Sequence, residues 1–589
     1  MADGYSAEWN FNMDIKNILS GLSFSAYETL GVHSEKEGNR FSVFAPEAKN
    51  VSLIGEFSDW KDIPMKKDDN GVWSVSVKSA EAGQMYKFRI TTKDGETFDR
   101  MDPFAFFSEK RPGNASVIYN PFDYKWNDNE WISSRKKDFS KPINIYEVHL
   151  GSFMKKDDGE FLSYDETSEK LIPYVKSLGA NYVEFLPFTE HPLDASWGYQ
   201  VSGYYSATSR YGNPDGLKKL IEKCHQNGIG VIMDFVPLHF VSDYFSLNCY
   251  DGTHIFESDT ENERHSRWGT TLFDFSKPFV ISFLHSAVTF WIENYHIDGI
   301  RFAAVSEMIY RHGSGDEGLN EPAIWFMKTL NFYISKKYSD VMLIAEDSSI
   351  FGKVTAPVEY GGLGFDYKWD LGWMNNTLYY LSLPFEKREY KAYSIYHSMD
   401  YFYNENYILP LSHDEVSHGK KSLINKFYGD FEERFLQLKL LLTYAFTHPG
   451  KKLFFMGTEI PSEKEWNEYD VLEWENGRRE ELTEFFSELS SLYSSHPSLY
   501  KNDFDGRFFR WTEKENDECL FIFERLSDDG DKLIVVLNFS DEKLSKKIIL
   551  SEDDEILISS GKAEITRTKT MATLKLGKLS SAVIGKKYN

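Results

Sequence analysis

The chain has 589 residues, several times the roughly 150 residues of a typical domain, so we expect more than one domain. It carries 66 Lys and Arg against 91 Asp and Glu, a formal net charge of −25, which argues against nucleic acid or anionic membranes as partners. Hydrophobic residues make up 41% and aromatic residues 16%, which excludes a disordered chain and suits a protein that stacks on flat, uncharged ligands such as sugars.

The cysteines and the N-terminus indicate the compartment. Cys224, Cys249 and Cys519 are widely spaced and form no CxxC pair, so neither a disulfide framework nor a cysteine metal site is supported. The first nine residues lack the basic start and apolar stretch of a signal peptide, and no apolar run approaches the roughly 20 residues of a membrane span. We therefore predict a cytoplasmic protein.

Short alternating runs of polar and apolar residues occur near both ends of the chain. Between Gly31 and Tyr119 they are separated by Asn-Gly and Asp-Gly turns and predict an antiparallel β-sandwich. Alternation returns after the amphipathic stretch Glu480–Tyr500 and predicts a second sandwich, with strands in Gly506–Trp511, Cys519–Glu524, Lys532–Phe539 and Ala572–Leu576.

After Pro142 the pattern changes to apolar strands that alternate with amphipathic helical stretches, as in parallel sheets. Eight candidate strands occur, and they are Ile145–His149, Tyr182–Leu186, Val231–Val236, Gly299–Phe302, Leu343–Glu346, Phe365–Trp369, Ile408–Ser412 and Leu453–Gly457. The predicted fold is therefore α/β, a (β/α)8 TIM barrel flanked by an N-terminal and a C-terminal β-sandwich, with domains at 1–125, 126–495 and 496–589.

Polar residues at the carboxyl ends of barrel strands are the first candidates for chemistry, because the loops there form the active face. One charged residue at a strand end usually only pairs or contacts solvent. Here four strand ends carry charged or polar side chains, and these are Asp234 with His239, Arg301, Glu346 with Asp347, and His413 with Asp414. Their number favours an active site.

These strand ends resemble the four motifs of the α-amylase superfamily of glycoside hydrolases, and they occur in order as Asp234–His239, Gly299–Val305, Ala345–Asp347 and Leu411–Glu415. More narrowly, the chain is similar to the glycogen branching enzymes through Tyr27–His33, His191–Gln200, Tyr295–Gly299, Glu359–Phe365, Lys368–Met374 and His448–Lys452. The segment Trp197–Gln200 is informative, because related trehalose-releasing and debranching enzymes tend to have Asp at its last position. The family also implies that the N-terminal sandwich is of the carbohydrate-binding type.

The resemblance implies roles for individual residues. Glu346 matches the general acid/base of a retaining mechanism, which needs two carboxylates about 5 to 5.5 Å apart, and Asp414 matches the transition-state stabiliser. Substrate binding is implied for the residues around the reacting sugar, namely Tyr199 by stacking, His239, Arg301 and His413, together with Asp234, which in the family is largely structural. The implied substrate is an α-1,4-glucan, whose cleaved chain passes to a 6-hydroxyl.

The nucleophile position departs from the family. Where the family has Asp, this chain has Ala303, whose methyl group cannot form a glycosyl ester. Asp298 matches a different family Asp and Glu307 lies beyond the strand, so neither is an obvious substitute. The loop after the eighth strand, Gly457–Ser462, also departs from the family pattern.

Three explanations for Ala303 are open. The first, which we favour because the other site residues match, is that the residue was introduced to trap substrate. The second is a natural glucan-binding protein without catalysis. The third is that a water or another carboxylate replaces the nucleophile. Hydrolysis of α-glucan in place of transfer is a further alternative.

With neither a clear ligand spacing for a metal nor a Gly-rich phosphate loop, we predict no cofactor and no metal.

Overall fold

The computed structural model describes residues 14–514, 518–568 and 571–587. The first nine residues, on which the expectation of no signal peptide rests, lie outside this part of the chain. Within the described residues no helix is both long enough and apolar enough to span a lipid bilayer.

The N-terminal region is an antiparallel β-sandwich, as predicted. One sheet contains Gly31–Ser34, Asn39–Phe44, Val72–Val77 and Lys66–Lys67, and the other contains Ile63–Pro64, Asn50–Gly55, Met85–Thr91, Thr97–Arg100 and Ser116–Val117. The two sheets meet through buried aromatic side chains, because Phe41 of the first sheet makes an edge contact with Tyr86 of the second at a centroid distance of 5.0 Å.

Eight strands close into a barrel in chain order, which confirms the central prediction. They are Asn144–Val148, Tyr182–Phe185, Gly230–Phe235, Gly299–Phe302, Met342–Ala345, Tyr367–Trp369, Tyr407–Leu411 and Lys451–Phe455. Strands such as Gly230–Phe235 are buried along their whole length, as expected for parallel strands whose two faces are both covered. The sixth strand begins at Tyr367, not at Phe365, because the backbone N–H of Phe365 donates to the loop carbonyl of Val354 at 3.2 Å.

The helices have the bounds Asn129–Ser134, Leu150–Phe153, Tyr164–Ser177, Pro214–Gln226, Pro278–Tyr295, Val305–Ile309, Glu321–Lys337, Leu371–Ser382, Tyr393–Tyr396, Ser398–Tyr401, Phe431–Thr447 and Arg479–Ser495. Two short hairpins lie in the loops that follow barrel strands, and they pair Thr189–Glu190 with Gly203–Ala207 and His239–Phe240 with Thr271–Leu272.

The C-terminal region is a second sandwich. One sheet contains Phe509–Glu513, Leu520–Leu526, Lys532–Asn538, Ser580–Gly585 and Glu555–Ser559, and the other contains Leu544–Ile548, Ala572–Leu576 and Ala563–Arg567. Aliphatic side chains of both sheets share one core. The expected strand Gly506–Trp511 is wrong in its first half, which is a 3-10 turn over Gly506–Phe508 because the Asp505 side chain accepts the Arg507 backbone N–H at 3.0 Å.

By its internal contacts the chain divides into two compact units. The first comprises 1–135, 155–169 and 185–346, and the second comprises 136–154, 170–184 and 347–589. The first unit contains the N-terminal sandwich and the third to fifth barrel strands; the second contains the C-terminal sandwich.

A buried ionic cluster in the first unit fixes the amino end of the fourth barrel strand. Asp298, 3% exposed, accepts hydrogen bonds from His225 Nε2 at 2.9 Å, Arg135 at 3.1 Å and the Val231 backbone N–H at 2.6 Å. His225 Nδ1 lies 2.8 Å from Asp128. Asp298 therefore has a structural role at the end of the strand opposite to Ala303, roughly 16 Å away at ~3.3 Å per residue.

Replacing Asp298 with Asn should destabilise the first unit. The change removes the carboxylate that Arg135 and His225 share and leaves Asp340 as the remaining acidic partner of Arg135. Removing one partner of a buried ion pair costs about 3–5 kcal/mol. Urea unfolding would measure the loss, with the exposed Asp316→Asn as the control expected to stay within about 0.5 kcal/mol of the parent. Equal stability of the two variants would contradict this role.

The same pair predicts how the loss varies with pH. Burial alone would raise the pKa of Asp298, but His225 and Arg135 hold it below its ordinary value; burial alone would lower the pKa of His225, but Asp298 and Asp128 hold it above its ordinary value. The Asp298 carboxylate contributes to the free energy of unfolding above about pH 4, and this contribution is lost as the pH falls through the pKa of Asp298 in the folded protein. The His225 imidazolium contributes below about pH 6.5, and its contribution is lost as the pH rises through the pKa of His225 in the folded protein. The Asp298→Asn loss should therefore be largest between those values, and a pH-independent loss would contradict the coupling.

Candidate active site

Three neighbouring barrel strands of the first unit place charged side chains side by side. The strands pair in parallel register, with Asp234 opposite Arg301, and Arg301 opposite Ile344, two residues before Glu346. All three residues, Asp234, Arg301 and Glu346, lie at or just beyond the carboxyl ends of their strands. Barrel enzymes have their active sites at this rim of the barrel, as the sequence analysis expects.

Arg301 is the centre of this group. Its side chain is 1% exposed, and its guanidinium donates to Tyr199 Oη at 2.9 Å, to Glu346 Oε2 at 2.8 Å and, closer still, to Asp234 Oδ2. Tyr199 in turn donates its hydroxyl to the same Asp234 oxygen. One buried cation thus joins three of the other residues that the sequence analysis singled out.

The charge state of Arg301 follows from these contacts. Burial alone would lower the pKa of its guanidinium, but Asp234, Tyr199 and Glu346 together hold that pKa well above its ordinary value. The guanidinium also lies 5.9 Å from the centroid of the Tyr199 ring. Arg301 is therefore a fixed positive charge that orients two carboxylates and a phenol.

Glu346 is held by the backbone as well as by Arg301. Its Oε2 accepts the backbone N–H of Ala304 at 2.9 Å, and its own N–H donates to Phe302 at 3.0 Å. Ala304 adopts a left-handed conformation with φ 54°, which costs a non-glycine residue about 1–2 kcal/mol. The hydrogen bond from the Ala304 N–H to the Glu346 carboxylate offsets this strain, so Glu346 stabilises the conformation of the turn after the fourth strand.

Ala303 lies between the fourth strand and this strained turn. It is 5% exposed, and its N–H donates to the Phe235 carbonyl at 3.0 Å. Two acids lie near it in sequence. Asp298 is at the other end of the strand, and Glu307 forms an ion pair with Arg267, with Oε1 3.0 Å from Nη2.

His239 begins the hairpin that follows the third barrel strand. It is 6% exposed, and its ring lies 5.3 Å from that of Trp268, which is 42% exposed. Burial lowers the pKa of His239 to about 4, so the imidazole is neutral at physiological pH and offers one donor and one acceptor. Trp268 also contributes to a cavity of ≈ 560 Å³ that Arg267, Glu307 and His312 line with it.

His413 and Asp414 belong to the second unit and follow the seventh barrel strand. His413 is nearly buried, and Glu147 holds it, because Glu147 Oε2 accepts its backbone N–H at 2.9 Å and Oε1 lies 2.5 Å from Nδ1. On the other side of the ring, His413 Nε2 lies 3.5 Å from Asp414 Oδ1. The Asp414 side chain is 44% exposed, so its carboxylate is open to a ligand.

The sequence analysis missed two acids of the second unit. Glu147, fully buried in the first barrel strand, orients His413, and the only signal for it was a carboxylate in an otherwise apolar strand. Glu459 lies in the loop that departs from the family pattern. It is fully buried and accepts the hydroxyls of Tyr146 and Tyr174, each at 2.7 Å, so it is a structural residue.

Two family models match the chain. Residues 29–105 match carbohydrate-binding module 48, described as the isoamylase N-terminal domain, and residues 149–253 match the catalytic domain of alpha amylase. Among solved structures, a putative alpha amylase from Salmonella typhimurium aligns at a TM-score of 0.72 and 18% identity, covering 95% of this chain and all of that one. A pullulanase from Anoxybacillus sp. aligns at 0.74 and 17% identity, covering 95% of this chain and 87% of that one. These likenesses show the fold.

Curated relatives give a closer match. A protein of Halothermothrix orenii named 1,4-alpha-glucan branching enzyme GlgB is 43% identical over 547 residues, which cover 89% of this chain and 87% of the relative. A protein of the same name from Geobacillus stearothermophilus is 43% identical over 546 residues, covering 90% and 85%. The chain therefore belongs to the 1,4-α-glucan branching enzymes, a family of glycosyltransferase-type enzymes with the α-amylase barrel.

Proposed function

We propose that this chain has the active-site framework of a 1,4-α-glucan branching enzyme and that, with Ala303 at the nucleophile position, it binds α-1,4-glucan but turns it over poorly. The observation that carries the proposal is the group joined by Arg301, in which Tyr199, Asp234 and Glu346 are held in place beside a position that lacks a carboxylate. The domains we propose are 1–125 for carbohydrate binding, 126–495 for the barrel and 496–589 for the C-terminal sandwich.

Glu346 is the general acid/base in this account. In the first step its carboxyl proton passes to the departing glycosidic oxygen, and in the second it removes the proton of the acceptor's 6-hydroxyl. The bonds from Arg301 and Ala304 both go to Oε2, and they fix the orientation of the carboxyl group that would exchange the proton with the substrate. The side chain is 22% exposed, which permits a sugar to reach it.

The other residues bind and orient the reacting glucose. Tyr199, partly exposed at the rim, stacks on a ring face, and the neutral imidazole of His239 hydrogen-bonds a sugar hydroxyl. Asp414, which follows the seventh barrel strand, matches the transition-state stabiliser of the family. We assign its exposed carboxylate to the sugar hydroxyls at the transition state, with His413 beside it.

Ala303 removes the first step of the double displacement. A retaining mechanism requires a carboxylate to attack the anomeric carbon, and a methyl group cannot form that bond. Rescue by another acid is not favoured, because Asp298 is tied into a buried cluster at the far end of the strand and Glu307 is paired with Arg267. We therefore favour a deliberately introduced substitution, with a glucan-binding protein without catalysis or a water that replaces the nucleophile as the alternatives.

Ala303→Asp should restore branching activity. The new carboxylate supplies the missing attack, and we expect a gain of at least about a thousandfold, or ~4 kcal/mol of barrier at ~1.36 kcal/mol for each factor of ten. Iodine staining of amylose together with a reducing-end assay measures it: the stain should fall without release of reducing ends. Release of reducing ends would instead indicate hydrolysis.

The matched control is Ala303→Asn, which has the size of Asp but cannot form a stable ester and should stay as inactive as the parent. If Ala303→Asp binds amylose normally and is equally inactive, the proposed branching chemistry is wrong for this chain. In that case a non-catalytic glucan-binding protein becomes the better description.

Glu346→Gln, made in the Ala303→Asp background, should abolish the restored activity while amylose binding is kept. Gln keeps an acceptor oxygen for the bonds from Arg301 and Ala304 but cannot exchange a proton. Loss of general acid/base catalysis costs about 10²–10⁴ in kcat. A kcat within a few-fold of the parent variant would exclude Glu346 from this role.

A further inference from the structure

A group of potential metal ligands lies in the loop between the hairpin strands His239–Phe240 and Thr271–Leu272. Among the residues that the structure describes, Cys249, His254 and Glu257 bring three ligand atoms within 4.8 Å of one another. The Cys249 Sγ lies 3.5 Å from His254 Nδ1, and that nitrogen lies 3.1 Å from Glu257 Oε1. The site described above uses none of the three.

The thiol and the carboxylate both approach the same ring nitrogen, His254 Nδ1. In the metal-free protein the Glu257 carboxylate accepts hydrogen bonds from the Cys249 thiol and from His254 Nδ1, so the three groups already converge. A cation between the three atoms would replace these hydrogen bonds and accept a lone pair from each group once the thiol has lost its proton.

The distances fit a tetrahedral zinc site. With Zn–S of about 2.3 Å, Zn–N of about 2.0–2.1 Å and Zn–O of about 2.0–2.2 Å at tetrahedral angles, sulfur and nitrogen lie ~3.5 Å apart and nitrogen and oxygen ~3.3 Å apart. The observed separations are 3.5 Å and 3.1 Å. Thiolate, imidazole and carboxylate together are a donor set that zinc accepts readily.

The surroundings support a site with one open position. Glu257 is fully buried, and its Oε1 also accepts the backbone N–H of Cys249 at 2.7 Å, which fixes the carboxylate. The His254 side chain is 24% exposed, so water can reach the fourth position. Arg100 and Lys277 donate to the backbone carbonyls of Cys249 and His254, so these carbonyls are already engaged and the three side-chain atoms are the ligands on offer.

We propose that Cys249, His254 and Glu257 bind a zinc ion, with a water molecule as the fourth ligand. The segment that carries them lies against the N-terminal sandwich of the same unit, where Tyr250 donates its hydroxyl to the Met101 carbonyl at 2.9 Å. The ion is a structural clamp on the loop that leads to Trp268, and its binding does not depend on the proposed catalytic function.

The test is a titration of the full-length, metal-free, reduced protein with Co²⁺ and then with Zn²⁺. We expect one equivalent of Co²⁺ to produce the ligand-field bands of a tetrahedral site and a thiolate-to-cobalt charge-transfer band, and one equivalent of Zn²⁺ to remove them. Cys249→Ser and His254→Ala should weaken Zn²⁺ binding by more than the ~10-fold that loss of a supporting residue costs. The controls Cys519→Ser and His265→Ala, which change the same residue types outside the group, should bind as the parent does.

A second measurement on the unmodified chain guards against variants that fail to fold. Zn²⁺ should protect Cys249 from alkylation by iodoacetamide, as read by mass spectrometry of its peptide, and should leave the labelling of Cys224 and Cys519 unchanged. Absence of a charge-transfer band in the parent, or a band that persists in Cys249→Ser, would overturn the proposal. Equal alkylation of Cys249 with and without Zn²⁺ would overturn it too.

Discussion

The buried guanidinium of Arg301 is the interaction on which the candidate site depends. A charge this deep is costly unless it is paired and hydrogen-bonded, and here Asp234, Tyr199 and Glu346 provide the partners. The parallel register of the third, fourth and fifth barrel strands sets Asp234 and Glu346 beside Arg301, and the loop after the second strand brings Tyr199 to them. Glu346, the acid/base that we propose, is thus held as one member of an ionic group that the fold itself assembles.

The net charge of this group bears on the consequence of Ala at position 303. Asp234 and Glu346 against Arg301 leave one net negative charge, and a further carboxylate at 303 would add a second close to the first. Repulsion between like charges this close together destabilises a folded protein. In the proposed function, a chain with Ala at this position lacks the attacking carboxylate while the group joined by Arg301 stays in place.

Sequence reasoning predicted much of the fold and part of the site, for identifiable reasons. Apolar runs marked the barrel strands except the sixth, whose periodicity is weak, and polar residues at strand ends marked Asp234, Arg301 and Glu346, because both signals are local. Glu147 and the Cys249, His254 and Glu257 group were missed, since their partners are set by loop folding and by contacts distant in sequence. Four C-terminal strands, Leu544–Ile548, Glu555–Ser559, Ala563–Arg567 and Ser580–Gly585, were also missed. The first three contain few fully buried residues, so their apolar signal in the sequence is weak.

The central claim is that position 303 is where the attacking carboxylate belongs. Mass spectrometry of protein incubated with a fluorinated maltosyl fluoride, whose glycosyl ester breaks down slowly, tests it directly. The account predicts that Ala303→Asp gains the mass of one glycosyl group on the peptide that contains residue 303, while the unmodified chain gains none. A label on another carboxylate, whether Glu307 or an acid elsewhere in the chain, would contradict it.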